Sequence, residues 1–266
     1  MIRVLLICLG MGSIPPALAQ TNESIFLAGL ELEKNFQVEA ALEKYQSVLK
    51  TQPNHVPALT HASRMLSNIA GRLTQTDLEK KRSLLLQAQL HAKKAIALRS
   101  TDPHTRLAHI ISLGLLSEIA TNPKEKVVDA RLIHEEAIKI LEHDTTFAEA
   151  YFVLGKWHLE LARLNWMELM ACKIFFGGFP EAVSTEASLR YFNKALHYNP
   201  NSILFMFGQA SAYIDLEENA KARITLYRAL QLPLAEPDDV IRKERCSALL
   251  QQIEAKTLSP KNFQGK

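Results

Sequence analysis

Five segments of this 266-residue chain place a small or β-branched apolar residue at one recurring position: Val48, Ala95, Ala137, Ala195 and Ala229, at spacings of 47, 42, 58 and 34 residues. Partner residues seven positions earlier, Ala88, Ala130 and Ala222, fall near the same helix face. A small residue held at a helix crossing lets two backbones approach closely, so its recurrence calls for paired helices stacked unit upon unit. Turn signals separate the units. Gln52-Pro53, Asp102-Pro103, His143-Asp144, Asn199-Pro200 and Leu232-Pro233 each read as the close of a helix. Between them the apolar residues recur with helical spacing from about Ile25 to Lys256. Only 10 Gly and 11 Pro interrupt the chain.

The first unit fits the 34-residue helix-turn-helix pattern of the tetratricopeptide repeat, with Ile25, Ala28-Gly29, Leu32, Ala41, Tyr45, Val48 and Pro53 in its slots. Against a 34-residue period the later steps carry 13, 8, 24 and 0 extra residues, so the fourth unit holds the largest insertion. The expected fold is an all-α superhelix of five helical hairpins with a capping helix from about Pro237 to Lys256. Thr76-x-x-Glu79 and Thr146-x-x-Glu149 read as capping boxes, and Asn122-Pro123 as a cap followed by a first-turn proline.

The N-terminus has a different character. Arg3, the apolar run Val4 to Met11 and the small residues Ala17 and Ala19 read as a secretory leader cleaved before Gln20. The expected organisation is a leader at 1–19, one repeat domain at 20–257 and a flexible tail at 258–266, in an exported chain of the periplasm or the secreted space. Cleavage leaves 30 basic against 28 acidic groups, a balance that favours neither nucleic acid nor an anionic membrane. The two remaining cysteines, Cys172 and Cys246, read as buried small residues rather than a disulfide framework.

The fourth unit begins Tyr151-Phe152-Val153-Leu154-Gly155-Lys156-Trp157 and runs on through apolar residues to Gly177-Gly178. Read by periodicity alone, Ala148 to Phe176 is one 29-residue helix, apolar on two faces. Two readings of it stand. Both faces are buried between repeats, or part of the segment walls an apolar pocket whose residues are Trp157, Leu161, Trp166, Met170, Phe175, Phe176 and Phe179. Arg163, Glu168 and Lys173 interrupt the run, which excludes a membrane span.

The same residues carry a resemblance. Leu154-Gly155-Lys156-Trp157, Trp166, Ile174-Phe175-Phe176-Gly177 with Pro180, and Ser188-Leu189-x-x-Phe192-x-Lys194-Ala195 resemble the C-terminal repeats of the regulator of microtubule dynamics family. The likeness continues through Glu217-x-x-Ala220-x-Ala222 and Ala229-Leu230-x-Leu232-Pro233. The resemblance implies divergent repeats, a microtubule-associated or organelle-tethering role and an apolar ligand such as a lipid. The leader departs from it, because an exported, bacterial-type chain does not meet tubulin.

No catalytic constellation is apparent. The nine histidines form no zinc-helix pair with a helper acid, and Gly177-Gly178 is not followed by a phosphate-binding Lys-Ser/Thr pair. His134 and His158 occupy packing slots of the repeats. The expectation is a non-enzyme without cofactor or metal that binds a protein or peptide partner, with an apolar small molecule such as a lipid as the alternative.

Overall fold

A computed structural model describes residues 16–179 and 182–258. Among them are twelve α-helices, one short 3-10 turn at Gln75–Asp77 and no strand. Helices α1 (Pro16–Lys34) and α2 (Val38–Thr51) form the first hairpin, followed by α3 (Val56–Arg72) with α4 (Leu78–Leu98) and by α5 (Pro103–Ile119) with α6 (Pro123–His143). In the fourth, α7 (Ala148–Ala162) pairs with α9 (Thr185–Tyr198) and α8 (Trp166–Phe176) is inserted between them. The fifth pairs α10 (Ile203–Asp215) with α11 (Asn219–Gln231), and α12 (Asp239–Leu258) caps the stack. The expected all-α superhelix of five hairpins and a capping helix is therefore present.

Small residues set the crossings. Val48, Ala95, Ala137, Ala195 and Ala229 are all fully buried. A Cβ on Gly29 would lie 2.7 Å from Cε1 of Tyr45, so only glycine lets α1 settle on the ring that α2 supplies. The same device recurs in repeat four. There the ring of Phe192 is wedged between Gly155 of α7 and Gly208 of α10, whose added Cβ atoms would come within 2.7 and 2.8 Å of it. The turns repeat as well. Phe36 and Glu217, five residues before Ala41 and Ala222, both take left-handed backbone with φ of 61°. Each ends its helix with the following N–H reaching back, Gln37 to the Leu32 carbonyl at 2.9 Å and Glu218 to the Tyr213 carbonyl at 2.8 Å.

Apolar burial runs across the joints between repeats. Phe26, Tyr45, Met65 and Ala88 share one cluster over repeats one and two, Ile110, Ala137, Phe147 and Leu154 another over three and four, and Tyr151, Ala195 and Phe205 a third over four and five. Each hairpin thus covers its apolar face with its neighbour. Polar ties add direction. Glu33 of α1 accepts from Tyr45 Oη at 2.8 Å and contacts His61 Nδ1 of α3 at 2.7 Å. Arg72 at the end of α3 reaches Asp238, just before α12, through Nε at 2.9 Å and Nη2 at 2.8 Å, linking positions 166 residues apart.

Several local expectations need correction. Neither threonine box forms, because the helices start later: α4 begins after Asp77 and α7 after Phe147, and neither of these N-cap residues makes a side-chain cap bond. Thr146 is held instead by Asp144, whose Oδ1 accepts from its N–H at 2.8 Å. Asn122 does cap α6, accepting from Lys124 N–H at 2.9 Å with Pro123 in the first turn. Asp102-Pro103 opens α5 rather than closing α4, since Asp102 accepts from His104 N–H at 2.9 Å. The capping helix begins at Asp239, past Pro237, and its last residue is Leu258. The leader residues 1–15 and the tail residues 259–266 lie outside the described residues, and the expected cleavage boundary at Gln20 lies on α1. Among the described residues no helix is long and apolar enough to cross a membrane.

Candidate interaction site on the repeat-four insertion

The 29-residue helix expected at 148–176 is two helices. Its break at Arg163-Leu164-Asn165 has a local cause. Asn165 Oδ1 accepts from Glu168 N–H at 3.0 Å while Glu168 Oε2 accepts from Asn165 N–H at 2.8 Å, a reciprocal capping box that starts a new helix. Arg163 is drawn away at the same point, its Nε donating to Asp215 Oδ2 of α10 at 2.7 Å, and this contact pushes the guanidinium pKa above its ordinary value. Asn-x-x-Glu was the sequence signal for the break. Continuous apolar periodicity masked it.

Two glycines end α8. Gly177 and Gly178 have φ of 76° and 72°, and Gly178 N–H reaches the Cys172 carbonyl at 2.9 Å. Side chains seldom tolerate that conformation, so the pair turns the chain sharply back toward α6. There the Gly178 carbonyl accepts from Arg131 Nε at 2.8 Å and from Arg131 Nη2. Beneath this loop, Trp157 donates Nε1–H to the Ala130 carbonyl at 2.8 Å and meets His134 at 4.7 Å and Phe179 edge-on at 5.7 Å.

The seven residues singled out from the sequence therefore separate. Trp157 and Phe179 come together in a packed aromatic cluster, with Trp157 only 5% exposed. Leu161 is half-buried near the end of α7. Trp166 and Met170 stand on the outer face of α8, 72% and 45% exposed. Phe175 and Phe176 occupy its last turn, and their side chains lie outside the described residues. Two residues that the sequence reading did not select complete the outer face: Met167 at 61% and Ile174 at 67% exposed. At about 100° per residue these four fall within roughly one quadrant of the helix and Cys172 lies opposite. Cys172 is buried, which shows which side of α8 rests on the body.

The electrostatics around α8 are quiet. Glu168 is committed to the cap, and Lys173 is exposed one turn later. The Cys172 thiol is pushed up by burial first, with the Glu168 charge adding to it, so it stays protonated at neutral pH. Cys172 and Cys246 are both free thiols, buried in α8 and α12. His158, fully buried, stacks on Tyr191 at 5.3 Å as a packing residue. No group of three or more metal-ligating side chains occurs among the described residues. What the arrangement can do is hold an unusually apolar helix face in water beside a rigid aromatic base.

The comparisons agree with this architecture. The chain is 27% identical over 195 residues to regulator of microtubule dynamics protein 1 of Mus musculus, covering 72% of this chain and 61% of that protein. It is also 27% identical over 177 residues to regulator of microtubule dynamics protein 1 of Caenorhabditis elegans, covering 65% of this chain and 76% of that protein. The chain thus spans about three fifths of the mouse relative. Among solved structures, a thermophilic TPR protein of Thermus thermophilus matches with a TM-score of 0.64 at 14% identity, over 86% of this chain and 99% of that chain. Pseudomonas aeruginosa pilF matches with a TM-score of 0.52 at 15% identity, over 92% and 95%. The family model of regulator of microtubule dynamics proteins 1-3 matches residues 27–254, and this chain belongs to that family.

Proposed function

We propose that this protein is a non-catalytic interaction scaffold and that α8 is its docking face for an amphipathic helix of a partner protein. The observation that carries this reading is the outer face of α8, where Trp166, Met167, Met170 and Ile174 lie in water on a helix pinned by Cys172 behind. A partner helix with apolar anchors three and four residues apart lies along such a face, and Trp and Met supply large contact area at low conformational cost. Glu168 and Lys173 balance each other, so the face lacks the basic cluster that an anionic lipid surface selects. The test is site-specific photocrosslinking from position 170, identification of the captured protein, and affinity measurement with the purified pair. Trp166→Ser with Ile174→Ser weakens the complex at least tenfold if α8 is the contact; unchanged affinity refutes it.

A second reading is carriage of a lipid or other apolar molecule beneath α8. Its support is the position of α8 as an insertion that rests on α6 above the Trp157–His134–Phe179 cluster and can act as a lid. Native mass spectrometry of protein purified from its own host reads this directly. A bound mass that disappears on Phe179→Asp supports it, and a bare polypeptide mass refutes it. The leader read at Arg3–Ala19 assigns either role to an exported chain, periplasmic or secreted. N-terminal sequencing is expected to find Gln20 first, and a chain beginning at Met1 refutes export by cleavage.

A further inference from the structure

Two clefts adjoin where α9, α10 and α11 meet, of about 380 Å³ and about 240 Å³, and both are lined by Met206 and Arg228. Neither has an Asp or Glu in its lining. The polar residues that share these linings with Arg228 are Asn193, His197, Asn201, Gln209, Tyr227 and Gln231. Arg163 and Arg242 are tied to carboxylates, whereas Arg228 is exposed and makes no ion pair or hydrogen bond among the described residues.

The neighbouring amides are held in order. Thr225 Oγ1 donates to Gln209 Oε1 at 3.3 Å, and Gln209 Nε2 donates to Asn193 Oδ1 at 2.7 Å. That relay occupies the Asn193 oxygen and leaves its NH₂ to face a ligand as a donor. Met206 is 2% exposed and forms an apolar floor. Tyr227 adds a wall that is fixed by its hydroxyl donating to Glu254 Oε1 at 3.0 Å. A site with one unneutralised guanidinium, side-chain amide donors and an apolar floor selects an anion that carries an apolar group beside it.

We propose that this cleft binds a peptide carboxylate with an adjacent apolar side chain, the carboxylate on Arg228 and the apolar group over Met206. It is a second binding site, on different residues from the α8 face, so either can fail without the other. The carboxylate has two sources, a chain terminus or an acidic side chain, and the experiment separates them.

The uniformly ¹⁵N-labelled protein is titrated with three peptides: acetyl-Ala-Phe-Leu with a free carboxylate, its C-terminal amide, and acetyl-Ala-Glu-Leu amide. Backbone amide shifts of Met206, Gln209, Arg228 and Gln231 are followed. Saturable shifts with the free acid alone support a chain terminus, with the glutamate peptide alone an acidic side chain, and with both acids a site that accepts either carboxylate. In each case Arg228→Gln weakens binding at least tenfold, as expected for loss of a charge-assisted hydrogen bond, and Arg223→Gln, on the same helix outside the clefts, leaves it unchanged. Equal shifts with the uncharged amide, no shifts at millimolar peptide, or Arg228→Gln binding like the parent overturns the proposal.

Discussion

Gly155→Ala isolates the physical rule that builds these repeats. In a helix interior the change from glycine to alanine is worth about 1 kcal/mol in favour of folding. At Gly155 the new Cβ would lie 2.7 Å from both Cδ1 and Cε1 of Phe192, about 1 Å inside ordinary carbon contact. The ring cannot retreat. On its far side a Cβ at Gly208 would already lie 2.8 and 2.9 Å from Cε1 and Cζ, so Phe192 fills the space between α7 and α10. Overpacking of a closed site costs about 1–3 kcal/mol, and a blocked ring places this one near the top of that range. The net expectation is a loss of about 2 kcal/mol. Gly114 in α5 is the control, because its nearest neighbour would be Ile133 Cδ1 at 3.9 Å, and Gly114→Ala should stabilise by about 1 kcal/mol. Urea unfolding midpoints at constant slope read both. In a Phe192→Leu background the Gly155→Ala penalty should shrink or change sign. A Gly155→Ala protein stabilised as much as Gly114→Ala would refute the steric account.

Three further outcomes follow from buried polar groups and one cap. Glu136, buried, ion-pairs with Arg106 and with Lys139 at 2.9 Å; burial works to raise its pKa, but hydrogen bonds from Lys139 and Arg106 hold it below the usual carboxylate range. Its stabilisation is therefore present above the unfolded pKa of about 4.3 and is lost as pH falls through the native value. Glu136→Gln should cost about 3 kcal/mol at pH 7 by leaving Arg106 buried without its anion, with the gap to the parent closing below about pH 4 in denaturant melts. His109 is 6% exposed with neither ring nitrogen hydrogen-bonded among the described residues, and burial lowers its pKa. The native state therefore loses stability as pH falls below about 6.5, where the unfolded imidazole takes up a proton. His109→Leu should stabilise by about 1 kcal/mol at pH 7 and by more at pH 5.5, read by thermal melts at both pH values. Asn165→Ala removes the capping box of α8 and should cost about 1 kcal/mol locally, seen as faster amide exchange at Glu168 and Leu169 with little change in α7.

The hairpins were legible in the sequence because their cause is short-range and steric. Gly29 with Tyr45, and the alanines at 95, 137, 195 and 229, are demands that two crossing helices place on nearby positions whatever the rest of the chain does. Caps were less legible. The Asn165–Glu168 box split the expected long helix, while the threonines at 76 and 146 stood outside the helices they were expected to start. A pattern of four residues states only that a cap can form. The packing of the neighbouring helix decides where the first turn begins.

The site was only partly legible. Helical spacing showed that Trp157, Trp166 and Met170 were apolar and on which side of a helix each stood, but not whether another element covered that side. The break after Ala162 settled the matter: Trp157 stayed in the stack against His134, and α8 turned so that Cys172 met the body and Trp166, Met167, Met170 and Ile174 faced outward. The Phe192 wedge between Gly155 and Gly208, the unneutralised Arg228 and the link from Arg72 to Asp238 likewise belong to the tertiary structure. Each depends on how far one repeat rotates against the next, a small angle that accumulates along the stack and leaves no period in the sequence.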